Sequence, residues 1–195
     1  MVTRSSGGRG LAAEPSAAGL RPSDAESARA WDVAASVCDP EVPVLSVADL
    51  GVLRTVRVGS VAGPQEVVRR VVRVEITPTY SGCPALEVFR TDIAVALLSA
   101  GYDEVQVDVV LAPAWSTDWL SDEAREKLRA YGIAPPAGPV CGREPGRWGS
   151  ARAPVVCPRC SSSNTRELSH FGSTACKSFH RCDDCLEPFD CFKVL

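Results

Sequence analysis

Alternating apolar and polar side chains predict three strands in the first two thirds of the chain. Residues 72–76 place apolar side chains on one side and charged ones on the other, as in a half-buried strand. Residues 51–58 are rich in β-branched side chains and predict a strand before it, joined to it by a turn over residues 59–65 as an antiparallel hairpin. Residues 105–111 alternate again and predict a third strand.

Helical spacing and capping residues predict three helices. Ser23 can cap the first, which runs to about residue 37. The second covers residues 84–100 with proline at its first position, and its buried face consists of Leu86, Phe89, Ile93, Leu97 and Ala100. The third begins after the N-cap Ser121 and ends at Gly132. The order α-β-β-α-β-α predicts an α+β fold in which helices pack on a small sheet.

Composition divides the chain into four segments. Residues 1–24 are rich in Gly, Ala, Ser and Arg without periodicity, and we expect a flexible tail. Residues 135–154 are rich in Gly and Pro, which is typical of a linker. The α+β domain therefore covers residues 25–134, and residues 155–195 form a second, smaller unit.

Overall composition favours a globular protein. Hydrophobic residues make up 45% and charged residues 23% of the 195 residues, with a formal net charge of −3. The longest apolar run, residues 93–98, is far short of the ~20 residues of a membrane span. The first residues lack the continuous apolar stretch of a secretory signal. We therefore expect a cytoplasmic protein. Its net charge gives no sign of binding to a membrane surface or of nonspecific binding to nucleic acid.

Four cysteines near the end of the chain have the spacing of a zinc ribbon. The chain has nine cysteines and no export signal, so a disulfide framework is disfavoured. Two pairs, Cys157 with Cys160 and Cys182 with Cys185, are separated by 21 residues, and two such turns facing each other complete a tetrahedron of thiolates. Redox-active pairs, or iron in the same thiolates, remain alternatives.

The other ribbon residues give weaker signals. Cys176, Cys191, His170 and His180 are expected to be surface or packed residues. The segment 171–177 is an unusual sequence at the expected tip of a hairpin and indicates a functional loop. Residues 155–195 carry five basic and five acidic side chains, so this unit has no net charge to attract phosphates and contact with protein is favoured.

Cys83 is a candidate reactive thiol because it lies where the second strand passes into the second helix. Free N–H groups at a helix N-terminus lower a thiol pKa, so we expect a thiolate able to bind a metal or attack an electrophile. A buried inert cysteine is the alternative. Asp39 and Glu41 flank Pro40 and could assist a metal at Cys83, or could simply be residues of the loop that ends the first helix.

Recognisable enzyme motifs are missing from the sequence. Paired carboxylates, a histidine-based dyad, a phosphate-binding loop and a dinucleotide fingerprint are all absent, so we do not expect an independent enzyme. Trp115 and Trp119, four residues apart, are interpreted as packing residues.

Several short motifs resemble known families. Asp39-Pro40-Glu41-Val42-Pro43, Asp49-Leu50-Gly51 and Thr77-Pro78-Thr79 with Gly82-Cys83-Pro84 resemble the small domain shared by cytosolic iron–sulfur targeting and SUF-system maturation proteins. Three further segments, residues 115–120, 131–136 and 171–177, resemble a narrower family, the PaaD-type proteins. These proteins belong to the bacterial phenylacetate-degradation cluster and are associated with the phenylacetyl-CoA epoxidase. The resemblance covers about residues 28–195.

This resemblance implies an accessory or maturation factor for the iron–sulfur or di-iron centres of the epoxidase, with epoxidase subunits and iron–sulfur assembly proteins as partners. Cys83 matches the reactive cysteine of the family, and Asp39 and Glu41 match its acidic loop. Structural zinc at the four ribbon cysteines and transient iron or a cluster at Cys83 are the expected cofactors. The expected partner-binding loop consists of Phe171, Gly172, Ser173, Thr174, Cys176 and Lys177. A stable noncatalytic subunit and a nucleic-acid-binding ribbon protein are the alternative functions.

Overall fold

Two three-stranded sheets organise the part of the chain that the computed structural model describes, residues 20–62, 68–136 and 154–194. In the first sheet, β1 (Leu53–Ala62) pairs antiparallel with β2 (Val68–Ile76), and β2 pairs parallel with β3 (Glu104–Val109). Parallel neighbours need a long crossover, which a helix between β2 and β3 supplies. The predicted antiparallel hairpin is confirmed, but its predicted turn over residues 59–65 is wrong in part, because residues 59–62 pair with β2 and continue β1.

Three helices accompany this sheet: α1 (Ala25–Ala35), α2 (Leu86–Ser99) and α3 (Asp122–Tyr131). A short 3-10 helix, Thr117–Trp119, precedes α3 and was not predicted from the sequence. None of the helices in the described residues is both long and apolar enough to cross a membrane. The order of the main elements is the predicted α-β-β-α-β-α.

The alternation in β2 places its apolar side chains in the core. Val72, Val74 and Ile76 are fully buried, and Phe89, Ile93 and Leu97 of α2 belong to the same hydrophobic cluster. Trp115 and Trp119 are also buried there, which confirms their interpretation as packing residues. The core therefore lies between one face of the sheet and the helices.

Two predicted helix ends are wrong. Asp24, not Ser23, caps α1, because its carboxylate accepts the N–H of Ser27 at 2.8 Å. The helix α2 begins at Leu86 rather than at Pro84, because a turn comes first, closed by hydrogen bonds from the N–H of Cys83 to the Tyr80 carbonyl and from the N–H of Leu86 to the Cys83 carbonyl.

The buried face of α2 is also narrower than predicted. Phe89, Ile93 and Leu97 are buried, Leu86 is half-buried, and Ala100 is exposed. Ala100 lies at the C-cap, where the chain turns away from the core at Gly101. The predicted tail and linker lie mostly outside the described residues.

The second sheet is formed by β4 (Thr165–Ser169), β5 (Lys177–Cys182) and β6 (Pro188–Phe192), paired antiparallel in that order. Both predicted cysteine pairs lie in turns at one end of this sheet, the first before β4 and the second between β5 and β6. This arrangement is the predicted ribbon.

The ribbon packs directly on the first domain. A parallel β-bridge joins Ala134 to Cys191, with the N–H of Phe192 donating to the Ala134 carbonyl at 2.9 Å. The ring of Phe192 is 2% exposed and lies in the first domain's core, 6.2 Å from the ring of Trp115 between centroids. The last strand of the ribbon therefore contributes to both units.

Candidate metal centre and thiol site

The four predicted ribbon cysteines converge on one point. The Sγ atoms of Cys157 and Cys185 are 3.7 Å apart, and those of Cys160 and Cys182 are 3.6 Å apart. All four sulfurs lie within 4.8 Å of one another. These distances are far longer than the roughly 2.05 Å of a disulfide bond. The four residues are free thiols in the structure.

A tetrahedral metal fits this spacing. An ion with sulfur ligands at about 2.3 Å would set its four sulfurs about 3.8 Å apart. The observed distances of 3.6 and 3.7 Å agree with that value. Two of the cysteines are buried and two exposed, so the group lies at the surface end of the ribbon. The four thiols can therefore hold one metal ion as a structural site with no ligand position left for chemistry.

Both cysteine turns end in a strained backbone conformation. Ser161 follows Cys160 with φ +61°, and Leu186 follows Cys185 with φ +65°. Side chains other than glycine adopt this left-handed region at a cost of about 1–2 kcal/mol each. Both turns therefore share one backbone geometry directly after the cysteines whose sulfurs converge.

Hydrogen bonds connect the two turns to each other. The carboxylate of Asp184 accepts from the Ser162 hydroxyl and, at 2.7 Å, from the side-chain amide of Asn164. The backbone N–H of Asp183 donates to the Asn164 carbonyl at 2.9 Å. The two cysteine pairs are thus held face to face by groups other than the sulfurs.

The thiols of this group differ in pKa. Backbone N–H groups of Cys185 and Asp184 lower the pKa of Cys182 to about 7. At Cys160 the Ser162 N–H acts in the same direction, but the neighbouring thiols and burial outweigh it and raise the pKa to about 12. A metal ion must therefore displace protons that the cluster still holds at neutral pH.

Cys83 lies in the turn between β2 and α2, as predicted. Its thiol is half-buried and packs beside the first domain's core. Burial raises the pKa of Cys83, against hydrogen bonds from the Ala85 N–H and the Thr79 side chain that lower it. The predicted lowering of this pKa is therefore wrong, because burial outweighs the N–H groups at the start of the helix.

Of the two predicted acidic residues, Asp39 is the one whose charge acts on the Cys83 thiol. The Asp39 carboxylate accepts the N–H groups of Glu41 and Val42 at 2.7 and 3.1 Å, which fixes the loop after α1. Its charge contributes to raising the pKa of Cys83. Glu41 is exposed, and its charge acts on Tyr80 instead, where it adds slightly to a pKa that is raised mainly by burial of the phenol. The loop thus presents one of the two predicted acidic residues to Cys83.

The predicted partner-binding loop has some side chains exposed to solvent and others buried. Phe171 is 65% exposed, whereas Lys177 is 4% exposed and pairs with Asp190 at 3.4 Å. Cys176 is half-buried and packs against the first domain's core. That position could not be inferred from sequence spacing, because it depends on how the ribbon packs on the first domain.

The other histidines and cysteines of the ribbon are either packed in its interior or exposed at its surface. The side chain of His180 is buried, stacks on Phe189 and lies 2.9 Å from the Ser178 hydroxyl. The thiol of Cys191 is buried beside the four-cysteine group without belonging to it. His170 is exposed and faces Glu167 at 3.3 Å. These are the surface and packed residues that the sequence predicts.

Family models match both domains. The model of iron–sulfur cluster assembly proteins matches residues 28–109, and that of the PaaD zinc beta ribbon domain matches residues 143–193. Among solved structures, a domain of unknown function (DUF59) from Bacillus anthracis is 24% identical, covering 52% of this chain and 90% of that chain with a TM-score of 0.41.

Two curated proteins are similar to this chain. The "Fe-S protein maturation auxiliary factor" of Porphyromonas gingivalis is 34% identical over 94 residues, which are 48% of this chain and 81% of that protein. A subunit of the "Putative 1,2-phenylacetyl-CoA epoxidase" of Escherichia coli strain K12 is 46% identical over 170 residues, which are 85% of this chain and 91% of that protein. The resemblance found in the sequence is confirmed, and the chain belongs to the PaaD family.

Proposed function

We propose that this chain is an accessory protein that helps to install or repair an iron-containing centre of the phenylacetyl-CoA epoxidase. Cys83 holds iron or an iron–sulfur cluster transiently, with Asp39 beside it and Glu41 at the rim. The observation that carries this proposal is the half-buried Cys83 thiol, within electrostatic reach of the Asp39 carboxylate, in the domain that matches iron–sulfur assembly proteins.

The similarity to two curated proteins supports an accessory role. One is named as a subunit of the epoxidase and the other as a maturation auxiliary factor, and neither name is that of an independent enzyme. The sequence also lacks the motifs of a self-sufficient catalyst. A role in delivering a metal needs only a thiol that binds cargo and later releases it.

The four ribbon cysteines have a different role, in our proposal, and hold a structural zinc ion. Four thiolates in tetrahedral spacing leave no position for exchange, which suits a permanent ion. In small zinc units the ion contributes roughly 10 kcal/mol or more to folding. Zinc here stabilises the ribbon, whereas Cys83 binds and releases the iron or cluster that is delivered.

The test is to express the epoxidase together with this chain carrying Cys83→Ser. We expect the purified oxygenase and its reductase to contain several-fold less iron, with a matching loss of epoxidation. Cys38→Ser is the matched control, since Cys38 is an exposed thiol of the same domain, just after α1. Full iron occupancy and activity with Cys83→Ser would remove the proposal.

A second candidate function is a stable noncatalytic subunit, which the word "subunit" in the name of the Escherichia coli relative favours. A subunit remains with the active enzyme at fixed stoichiometry, whereas a maturation factor leaves it. Size-exclusion chromatography of the assembled epoxidase with quantified subunit ratios separates the two.

A further inference from the structure

We propose that the cargo site contains two thiols, Cys83 of the first domain and Cys176 of the ribbon, with the Asp39 carboxylate beside both. This inference rests on the proposed function and deepens it, because it makes the ribbon a contributor to the cargo site and not only a folding unit. The site is complete only when the ribbon is packed against the first domain.

The position of Cys176 is fixed by the ribbon itself. It immediately precedes β5, and its thiol lies 3.0 Å from the Thr174 hydroxyl. Its carbonyl accepts the N–H of Lys193 at 2.9 Å, and the Lys193 ammonium donates to the Ala175 carbonyl at 2.9 Å. The chain just after β6 therefore holds the loop that carries Cys176.

The packing of the ribbon then brings Cys176 to the first domain. Phe192, next to Lys193, is buried in the first domain's core, and the bridge between Ala134 and Cys191 fixes the strand beside it. Cys176 and Cys83 both pack against this same core. The chain at the end of β6 thus fixes where Cys176 lies on this core.

The charges around the two thiols agree with this shared position. Burial raises the pKa of both, and the charge of Asp39 raises each of them further. Cys176 also raises the pKa of Cys83, and both cysteines contribute to the raised pKa of Tyr80. Residues from three separate segments therefore lie within electrostatic reach of one another, and two of them, Cys83 and Cys176, are half-buried against the same core.

This arrangement differs from the ribbon's own metal site. Within the described residues, the four ribbon cysteines form the one group of three or more potential ligands already at mutual ligand distance. Cys83, Cys176 and Asp39 are more widely spaced and supply only two sulfurs. Two thiolates suit iron or an iron–sulfur cluster, and the open positions allow the cargo to pass to a recipient.

Binding balances without an oxidant or reductant. A ferrous ion forms two Fe–S bonds to Cys83 and Cys176 and releases the two thiol protons to solvent or to Asp39. The iron stays ferrous, and the reverse step, protonation of both thiols, releases it.

Cobalt(II) is a direct probe, because its absorption with thiolate ligands grows with the number of bound sulfurs. The full-length chain is first loaded with one equivalent of zinc to fill the ribbon, and cobalt(II) is then titrated without oxygen. We expect one cobalt ion with two thiolate ligands in the wild type, about half the thiolate absorption in Cys83→Ser and in Cys176→Ser, and none in the double variant.

Cys38→Ser serves as the matched control and should leave the cobalt spectrum unchanged. Cys176→Ala repeats the test with an apolar side chain suited to a half-buried position, and retention of one equivalent of zinc by each variant shows that the ribbon is folded. A full two-thiolate spectrum in a folded Cys176→Ala chain overturns this inference.

The same titration separates this inference from the proposed function. Loss of thiolate absorption in Cys83→Ser alone leaves Cys83 as a single-thiol cargo site, so the proposed function stands and the paired site fails. A wild-type spectrum in Cys83→Ser, together with full iron loading of the epoxidase, removes both.

Discussion

Gly51 is the residue at which backbone conformation and close packing coincide. Its φ is +67°, and a Cβ there would lie 2.7 Å from the Cβ of Trp119 and 2.9 Å from its carbonyl oxygen. Gly51→Ala should therefore lower the free energy of unfolding by about 2–4 kcal/mol, from the left-handed backbone and from overpacking together. Urea-induced unfolding followed by circular dichroism measures the change.

Gly132 provides the control for this prediction. Its φ is +92°, but nothing lies within 4 Å of the position a Cβ would occupy. Gly132→Ala should cost only the backbone term, about 1 kcal/mol. Equal losses in the two variants would show that the contact with Trp119 does not matter.

Individual site residues could be predicted from the sequence only where their chemistry depends on neighbours along the chain. The position of Cys83 before α2 and the four ribbon cysteines follow from local spacing. The pKa direction of Cys83 does not, because burial depends on packing by distant segments. The position of Cys176 beside the first domain's core depends on the same kind of contact.

Element types were predicted better than their ends. Both strands of the first hairpin extend beyond their apolar patterns, because backbone pairing continues through exposed residues such as Ser60 opposite Arg70. A side-chain pattern cannot detect pairing in which both faces meet solvent. By contrast, α3 has the expected N-cap Ser121 and ends at Gly132, because both signals are local.

The ribbon should lose its metal as the pH falls. Since the pKa of Cys160 is raised to about 12, the metal-free cluster keeps protons that an ion must displace, and lowering the pH favours the protonated, empty state. Affinity should therefore rise with pH and fall as the pH is lowered through about 7, where Cys182 also takes up a proton. Metal release to a colorimetric chelator, measured across pH, checks this.

Cysteine variants within the ribbon test the same prediction. Cys160→Ser should release the ion at a higher pH than the wild type. Cys191→Ala, which changes a buried ribbon cysteine outside the four-sulfur group, should keep the wild-type pH dependence. Identical curves for all three proteins would contradict a four-thiolate site.

For the whole molecule, the α+β domain and the ribbon were predicted from the sequence, but their association was not. The surfaces that meet are created by folding, and the Gly- and Pro-rich segment between the domains carries no signal of how they pack. The bridge between Ala134 and Cys191 gives these domains a shared strand contact. A division into two domains from the sequence alone therefore does not show that the domains pack against each other.

Phe192→Ala should separate the two domains. The side chain is 2% exposed, and removal of a buried phenylalanine typically costs about 3–5 kcal/mol. The loss should appear as earlier unfolding of the first domain and faster proteolysis between the domains, with the ribbon keeping its metal. Limited proteolysis followed by mass spectrometry measures this.

Phe171→Ala is the comparison for this variant. That ring is 65% exposed, so its removal should change stability by no more than about 0.5 kcal/mol. A similar proteolysis pattern for both phenylalanine variants would mean that the buried contact of Phe192 does not hold the domains together.

The attachment of the Cys176 loop to the chain after β6 has a physiological consequence. The strand β6 belongs to the ribbon sheet, and in our proposal the ribbon fold depends on a structural ion at its four cysteines. With the proposed two-thiol cargo site, scarcity of that ion in the cell would thus displace one of the two sulfurs. Under the proposed function, a bacterium starved of zinc would grow poorly on phenylacetate even with ample iron, because the nutritional supply of one element limits the use of another.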